Sequence, residues 1–266
     1  MSNRSSLRCV CLLAFCVVLP SSVCAADDRP PIKRENFTID DRPAFVIRPT
    51  KTLSGPTPWV LYAPTLGKNL PGKAEEWMFR QFLDAGVAIA GVDVGESFGS
   101  PAGRATYNAL HERLTSKENF DARACLMARS RGGLMLYCWA AENPEKVKCI
   151  VGIYPVCNIA SYPGVKRACA AYGLSEAELQ DQLSNHNPID RLKPLAKAKV
   201  PIFHIHGDVD KVVPLEKNSG LVAERYRVAG GAMTLDVPQG QGHNMWRGFF
   251  ESQELVDFLI KHATGR

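Results

Sequence analysis

No apolar run in this chain reaches the roughly 20 residues that a membrane-spanning helix needs; the run near the N-terminus, Cys9 to Leu19, falls well short. Basic residues never gather into a block. The 32 Lys and Arg are scattered among 27 Asp and Glu, so a formal charge of +5 gives no footprint for nucleic acid. None of the nine cysteines has the spacing of a zinc site. There is no internal repeat, no low-complexity tract and no interdomain linker. What remains is 266 residues, 45% apolar and 22% charged, enough for one large α/β domain or two small ones.

Residues 1–25 have the layout of a secretory signal peptide. Arg4 and Arg8 precede the apolar run, and Ser21, Ser22, Val23, Cys24 and Ala25 follow Pro20. Cleavage near Ala25 is expected, with a secreted or periplasmic product that has no stable membrane insertion; retention as an anchor, or as a lipoprotein through Cys24, is the alternative. Without Arg4 and Arg8 the balance is 30 basic to 27 acidic residues, a net of +3. Cys9, Cys11, Cys16 and Cys24 leave with the leader. Of the five others, Cys125, Cys138 and Cys149 lie in apolar patterns and read as core residues. Cys157 and Cys169 lie in a loop-rich segment and are the candidates for a disulfide.

Strand and helix patterns then alternate to the end of the chain. Two edge strands, Glu35 to Asp40 and Arg42 to Pro49, precede the continuous apolar run Trp59 to Ala63. A helix is expected over 73–85, a buried strand over 87–93, a glycine-rich loop over 95–103 and a helix over about 105–114. Further strands are Ala124 to Ala128, the buried Val147 to Tyr154, Val200 to His206 and Met233 to Val237. Helices are expected at about 134–141, 216–229 and, capped by Ser252, up to His262. Residues 156–195 lack a strand signal and hold the capping box Ser175–Glu178, so they form a small helical, cap-like insertion after the sixth strand. The fold class is α/β, a mostly parallel central sheet with helices on both faces.

The stretch Ala124 to Ala141 organises the chemistry. A strand ends at Ser130, Gly132 and Gly133 follow, and a helical pattern begins at once. A serine on a sharp strand-to-helix turn resembles the nucleophile elbow of an α/β-hydrolase, which needs small residues two before and two after it. Gly132 fits; Ala128 stands where glycine is usual. A serine needs a base, usually a histidine held in one tautomer by a carboxylate. Downstream, His206-Gly207-Asp208-Val209-Asp210 and Gly242-His243 each follow a strand, and the carboxyl ends of parallel strands share one edge. Separations of 80 and 33 residues therefore do not prevent Ser130, Asp210 and His243 from meeting. Val200 to Pro214 resembles the acid loop of the prolyl oligopeptidase and dienelactone hydrolase branches of the superfamily, where the acid stands three residues after the glycine. That resemblance, which covers about residues 40–262, implies Asp210 rather than Asp208 as the acid and His243 as the base.

The same pattern implies an oxyanion hole made by the Arg131 N–H and that of Thr65 or Leu66. Gly95-Glu96-Ser97-Phe98-Gly99 also matches G-x-S-x-G, but no helix is expected directly after Ser97, which favours Ser130. Arg129 and Arg131 are expected either to pair with carboxylates or to hold an anionic substrate; Glu96 and Trp246 are further candidates beside the substrate. His204, His206 and Asp208 alternate as metal ligands can, the basis of a competing metallohydrolase reading. A serine mechanism needs no cofactor, and no cofactor or metal is expected. The favoured activity is cleavage of a carboxylic ester through an acyl-enzyme, with a small-molecule or carbohydrate ester as substrate. The family's peptidases carry a large extra N-terminal domain, whereas about 30 residues separate the leader from the first central strand here. A peptidase and a non-catalytic binding protein of the same fold are the remaining alternatives.

Overall fold

The computed structural model describes residues 29–67 and 69–266, so the expected leader lies outside the described residues. The chain divides into two units, Met1–Pro31 and Ile32–Arg266, and every element below belongs to the second. The strands are β1 (Glu35–Ile39), β2 (Arg42–Ile47), β3 (Trp59–Ala63), β4 (Ala88–Val92), β5 (Ala124–Arg129), β6 (Val147–Ile153), β7 (Ile202–Ile205) and β8 (Met233–Asp236). They form one sheet in the order β1-β2-β4-β3-β5-β6-β7-β8. Pairing is antiparallel for β1–β2 and β2–β4 and parallel from β4 through β8.

The helices are α1 (Glu76–Asp84), α2 (Pro101–Lys117), α3 (Gly132–Glu142), α4 (Val165–Tyr172), α5 (Glu176–Asp181), α6 (Leu183–His186), α7 (Lys193–Lys197), α8 (Ser219–Val228), α9 (Arg247–Phe250) and α10 (Gln253–Thr264). The two-residue period of a strand sorts side chains onto two faces. Trp59, Leu61 and Ala63 of β3, with Leu126 and Ala128 of β5, pack with Tyr107, Leu136, Trp139 and Val222 of α2, α3 and α8. The alternate residues Val60, Tyr62, Cys125 and Met127 pack with Met78 and Phe82 of α1 and Leu255 and Leu259 of α10. Both faces are thus buried, as a parallel sheet requires. Helix α3 is apolar all round because every residue from Gly132 to Ala141 is buried.

The insertion after β6 is helical, carrying α4 to α7. It has its own small core, in which Val156, Ile159 and Leu179 meet Phe98, Leu134 and Val213. Ser175 caps α5 in a complete capping box with Glu178, and Ser252 caps α10 by accepting from Leu255 N. One helix begins earlier than its pattern suggests: α2 starts at Pro101, not near residue 105. Ser100 takes the extended N-cap conformation and Pro101 stands at the first helical position, where a missing N–H is harmless. Gly103 is there for packing, since a Cβ at that position would press on the Ser97 side chain. Among the described residues no helix is long and apolar enough to cross a membrane.

Candidate active site

Strand β5 delivers Ser130 to the carboxyl edge of the sheet in a left-handed conformation, φ +49°, which costs energy for any residue with a Cβ. The turn is tied on both sides: Ser130 N donates to Ile153 O at 3.0 Å, and Ser130 O accepts from Gly133 N at 2.9 Å and Val156 N at 2.8 Å. The two following glycines are steric necessities. A Cβ on Gly132 would run into Ala63 O, and one on Gly133 into Val156 O. Ala128 is tolerated because its partners in register are Ala63 on β3 and Gly152 on β6, both small.

The loops after β7 and β8 bring the other two groups. His243 Nε2 lies 2.9 Å from Ser130 Oγ, and His243 Nδ1 lies 2.7 Å from Asp210 Oδ2. Asp210 is buried, and its other oxygen accepts from Val212 N at 2.9 Å and Val213 N at 2.8 Å. Burial alone would raise its pKa. Hydrogen bonds from His206, His243 and the Val213 amide outweigh that and hold the carboxyl well below the usual range. Asp208 joins loops instead. Its Oδ1 accepts from Gly240 N at 2.6 Å, stapling the histidine loop to the acid loop. The two loops also meet where Val209 N donates to Gln241 O, a closeness that leaves no room for a Cβ on Gly207.

A cavity of about 200 Å³ opens at Ser130, lined by Pro64, Leu70, Arg129, Arg131, Tyr154, His243, Asn244 and Met245. Arg131 is the N-cap of α3, directly before Gly132, and the amides at a helix start have no carbonyl within the helix to bond. Leu66 N is directed at Leu70 O, 3.4 Å away, and Thr65 lines a different cleft with Arg34 and Phe37. Pro64 and Leu70 occupy the pocket wall instead.

Both arginines beside the serine pair with carboxylates. Arg129 Nη1 lies 2.5 Å from Oε1 of Glu75, which is wholly buried and also accepts from Tyr62 OH at 2.7 Å and, through Oε2, from Gly72 N at 2.9 Å. Desolvation would lower the Arg129 pKa, but the Glu75 charge raises it above its ordinary value. Arg129 also reaches Met245 Sδ at 3.1 Å and faces the Phe250 ring. Arg131 forms an exposed pair with Glu96, which places Glu96 outside the cavity lining. Trp246 stands edge-on to Phe249 with 40% of its surface exposed.

Tyr154 and Glu75 are not among the expected site residues. Tyr154 also has positive φ, +35°, and its ring lies 4.3 Å from that of His243. The rule that strand carboxyl ends share an edge points to Tyr154, since it directly follows β6. Nothing in the sequence marks Glu75.

Ser97 is buried, its Oγ has no hydrogen-bond partner, and it is not brought to His243. His204 and His206 are fully buried, and the ring nitrogens of both face protein groups. Among the described residues no group of three or more His, Cys, Asp and Glu side chains is placed to hold a metal ion. The expected disulfide is absent: Cys157 is buried in the core and Cys169 lies on α4, both as free thiols. Burial pushes the Cys157 thiol up.

The model of the prolyl oligopeptidase family matches residues 107–265, more than half of the chain. No curated protein matches the sequence. Among solved structures, the acylaminoacyl peptidase of Pyrococcus horikoshii superposes with a TM-score of 0.68 at 16% identity over 87% of this chain and 41% of its own. An S-formylglutathione hydrolase of Agrobacterium tumefaciens gives 0.65 at 18% over 84% and 89%. A truncated carbohydrate esterase from gut microbiota gives 0.66 at 18% over 83% and 90%. This chain spans less than half the length of the first peptidase structures it resembles. The matched segment begins in α2 and holds the elbow, the acid loop and the histidine loop, and on that match the chain belongs to the prolyl oligopeptidase family, serine hydrolases of the α/β-hydrolase fold.

Proposed function

We propose that the protein is an exported carboxylic ester hydrolase working through Ser130, His243 and Asp210 and acting on short acyl groups, including those carried by carbohydrates. The observation that carries this reading is the continuous contact from Ser130 Oγ to His243 Nε2 at 2.9 Å and from His243 Nδ1 to Asp210 Oδ2 at 2.7 Å, at the mouth of a small cavity. His243 removes the serine proton as Oγ attacks the ester carbonyl. The Arg131 N–H meets the oxygen that becomes charged. His243 then returns the proton to the departing alcohol, leaving an acyl-serine. Water, deprotonated by the same imidazole, releases the acid and restores Ser130. Asp210 keeps its charge and holds the ring in the tautomer that presents Nε2 to the serine.

The small cavity favours a short acyl group, because pockets for larger ligands generally run from about 300 Å³ upward. A carbohydrate esterase stands among the fold neighbours, and the exposed Trp246, one residue beyond the cavity-lining Met245, offers a flat apolar surface to a sugar ring. Export rests on the N-terminal pattern alone; the mass of the mature protein tests cleavage near Ala25.

The activity is tested with p-nitrophenyl acetate, acetylated sugars and a peptide p-nitroanilide on wild type, Ser130→Ala and Ser97→Ala, together with a fluorophosphonate probe. Ester turnover is expected in wild type and Ser97→Ala. Ser130→Ala should lose about 10⁴-fold or more, with no labelling by the probe. Faster cleavage of the anilide than of the esters would favour the peptidase reading. Turnover retained in Ser130→Ala and lost to a chelator would favour the metallohydrolase.

A further inference from the structure

Behind Asp210 lies a file of buried polar side chains that the serine, histidine and acid do not account for. His206 Nε2 stands 2.8 Å from Val213 O, which accepts its N–H, and 3.4 Å from Asp210 Oδ2. His206 Nδ1 is 2.8 Å from Ser219 Oγ. Ser219 Oγ is 2.9 Å from His204 Nδ1, and His204 Nε2 is 2.7 Å from Tyr137 OH. His204, His206 and Ser219 have no exposed surface, and Tyr137 has 1%.

The chemistry of the partners fixes which atom donates. A carbonyl and a carboxylate only accept, so the proton of His206 is on Nε2. With one proton per ring, His206 Nδ1 accepts, and the Ser219 hydroxyl donates to it. Ser219 must then accept from His204 Nδ1–H, and His204 Nε2 accepts from Tyr137 O–H. All four donors point the same way, towards the carboxylate. Hydrogen bonds in such a row polarise one another, and each half-satisfied member would be costly at this depth.

We propose that His206 is a positioning residue for the reaction, aligned by Ser219, His204 and Tyr137, which orients Asp210 Oδ2 towards His243 and takes up part of its charge. The inference rests on the serine-hydrolase reading above. His206 acts in two places at once. Its Nε2 lies within ion-pair distance of the Asp210 oxygen that serves His243, and its N–H holds Val213 O. The N–H of Val213 bonds the other Asp210 oxygen, so the turn that cradles the carboxylate is anchored from behind.

The test compares His206→Gln, which keeps an N–H donor at the ε position, with His206→Leu, which has none, and with Ser219→Ala, which leaves both histidines in place. Each is titrated to completion with a fluorophosphonate, so that kcat/KM for p-nitrophenyl acetate is expressed per reactive serine over pH 5–9. The low-field NMR resonance of the His243 Nδ1 proton is recorded in parallel. The groups in contact with that ring are Asp210, Tyr154 and the Ser130 hydroxyl, unchanged in all three variants.

His206→Leu and Ser219→Ala are expected to lose about tenfold in kcat/KM per labelled site, the scale of one hydrogen bond to a charged group. Their acid limb should move to higher pH, because an Asp210 relieved of a donor holds the imidazolium more tightly. The low-field resonance should shift, and His206→Gln should restore most of the wild-type profile. Two results overturn the proposal: labelled His206→Leu and Ser219→Ala with the wild-type pH profile and resonance, or equal losses in the Gln and Leu variants, since then only the bulk of the ring matters. A wild type that takes up no probe contradicts the serine-hydrolase reading itself, a separate outcome.

Discussion

Two buried charge problems at the residue scale are solved differently. Glu75 has no exposed surface, yet it carries a guanidinium, a phenol and an amide as partners, which is what a buried carboxylate needs to be retained. His204 is instead kept neutral. Burial, and to a smaller degree the neighbouring His206, push its pKa down to about 3 from an ordinary 6.5. Below pH 6.5 the unfolded chain therefore binds a proton that the folded chain refuses, and stability falls as pH drops from about 6.5 towards 3. The slope for one such group is about 1.4 kcal/mol per pH unit. His204→Asn keeps a donor towards Ser219 and removes this titration. Urea unfolding at pH 7 and pH 4.5 should show a gap between the two stabilities about 2 kcal/mol smaller in the variant than in wild type. An unchanged gap would mean that His204 does not resist protonation in the folded chain.

The elbow unit, β5 with α3, is the element whose logic was most legible. Strand β5 alternates between the two cores, the turn residue is a serine, and Gly132 and Gly133 mark where backbones cross. Asp210 and His243 were legible for the same reason: each follows a strand whose carboxyl end lies on the edge that Ser130 occupies. Other features were not. The amide bonding of the turn after β3 depends on how residues 64–70 close on themselves, so Leu66 and Thr65 could not be ranked from their letters. The dense Gly, Ser and Pro over 95–103 read as a loop, whereas Ser100 and Pro101 start α2. Cys157 looked like a loop cysteine because the insertion that covers it has no strand pattern.

Ala128 tests how far the family's glycine matters within this element. It is fully buried between Ala63 and Gly152, and its methyl group belongs to the core rather than to the turn. Ala128→Gly should lower stability by about 1–2 kcal/mol, from lost burial and greater freedom in the unfolded chain. Its kcat/KM should stay unchanged, because Gly132 sets the approach of α3 to Ala63. A tenfold loss of kcat/KM in a well-folded Ala128→Gly would instead mean that the methyl aims the nucleophile.

Across the whole molecule, the insertion after β6 and the loop that carries Asp210 are built as one body. Their shared core includes Val213 from the acid loop and Ile159 and Leu179 from the insertion. Asn218, with no exposed surface, ties them together. Its Oδ1 accepts from Cys157 N at 2.9 Å and Asn158 N at 3.2 Å, while its Nδ2 donates to Pro214 O at 3.0 Å and Ser161 Oγ at 2.9 Å. On the insertion's own side Asn187 Oδ1 accepts from Ile159 N at 2.9 Å, and Tyr172 OH donates to Phe98 O at 2.9 Å. Truncating Asn218 would strand a buried amide, a half-buried one and a carbonyl at once, so Asn218→Ala should cost about 3 kcal/mol and lower Tm by roughly 6–12 °C. Because Pro214 closes the turn that holds Asp210, kcat/KM per labelled serine should fall as well. Asn158, half-buried, reaches across to Lys217 O at only 3.3 Å and otherwise accepts within its own segment from Ala160 N at 3.1 Å and Asn187 Nδ2 at 3.2 Å, so Asn158→Ala should cost less than Asn218→Ala, about 1 kcal/mol. If Asn218→Ala is as mild as Asn158→Ala, the insertion is held by its apolar core alone.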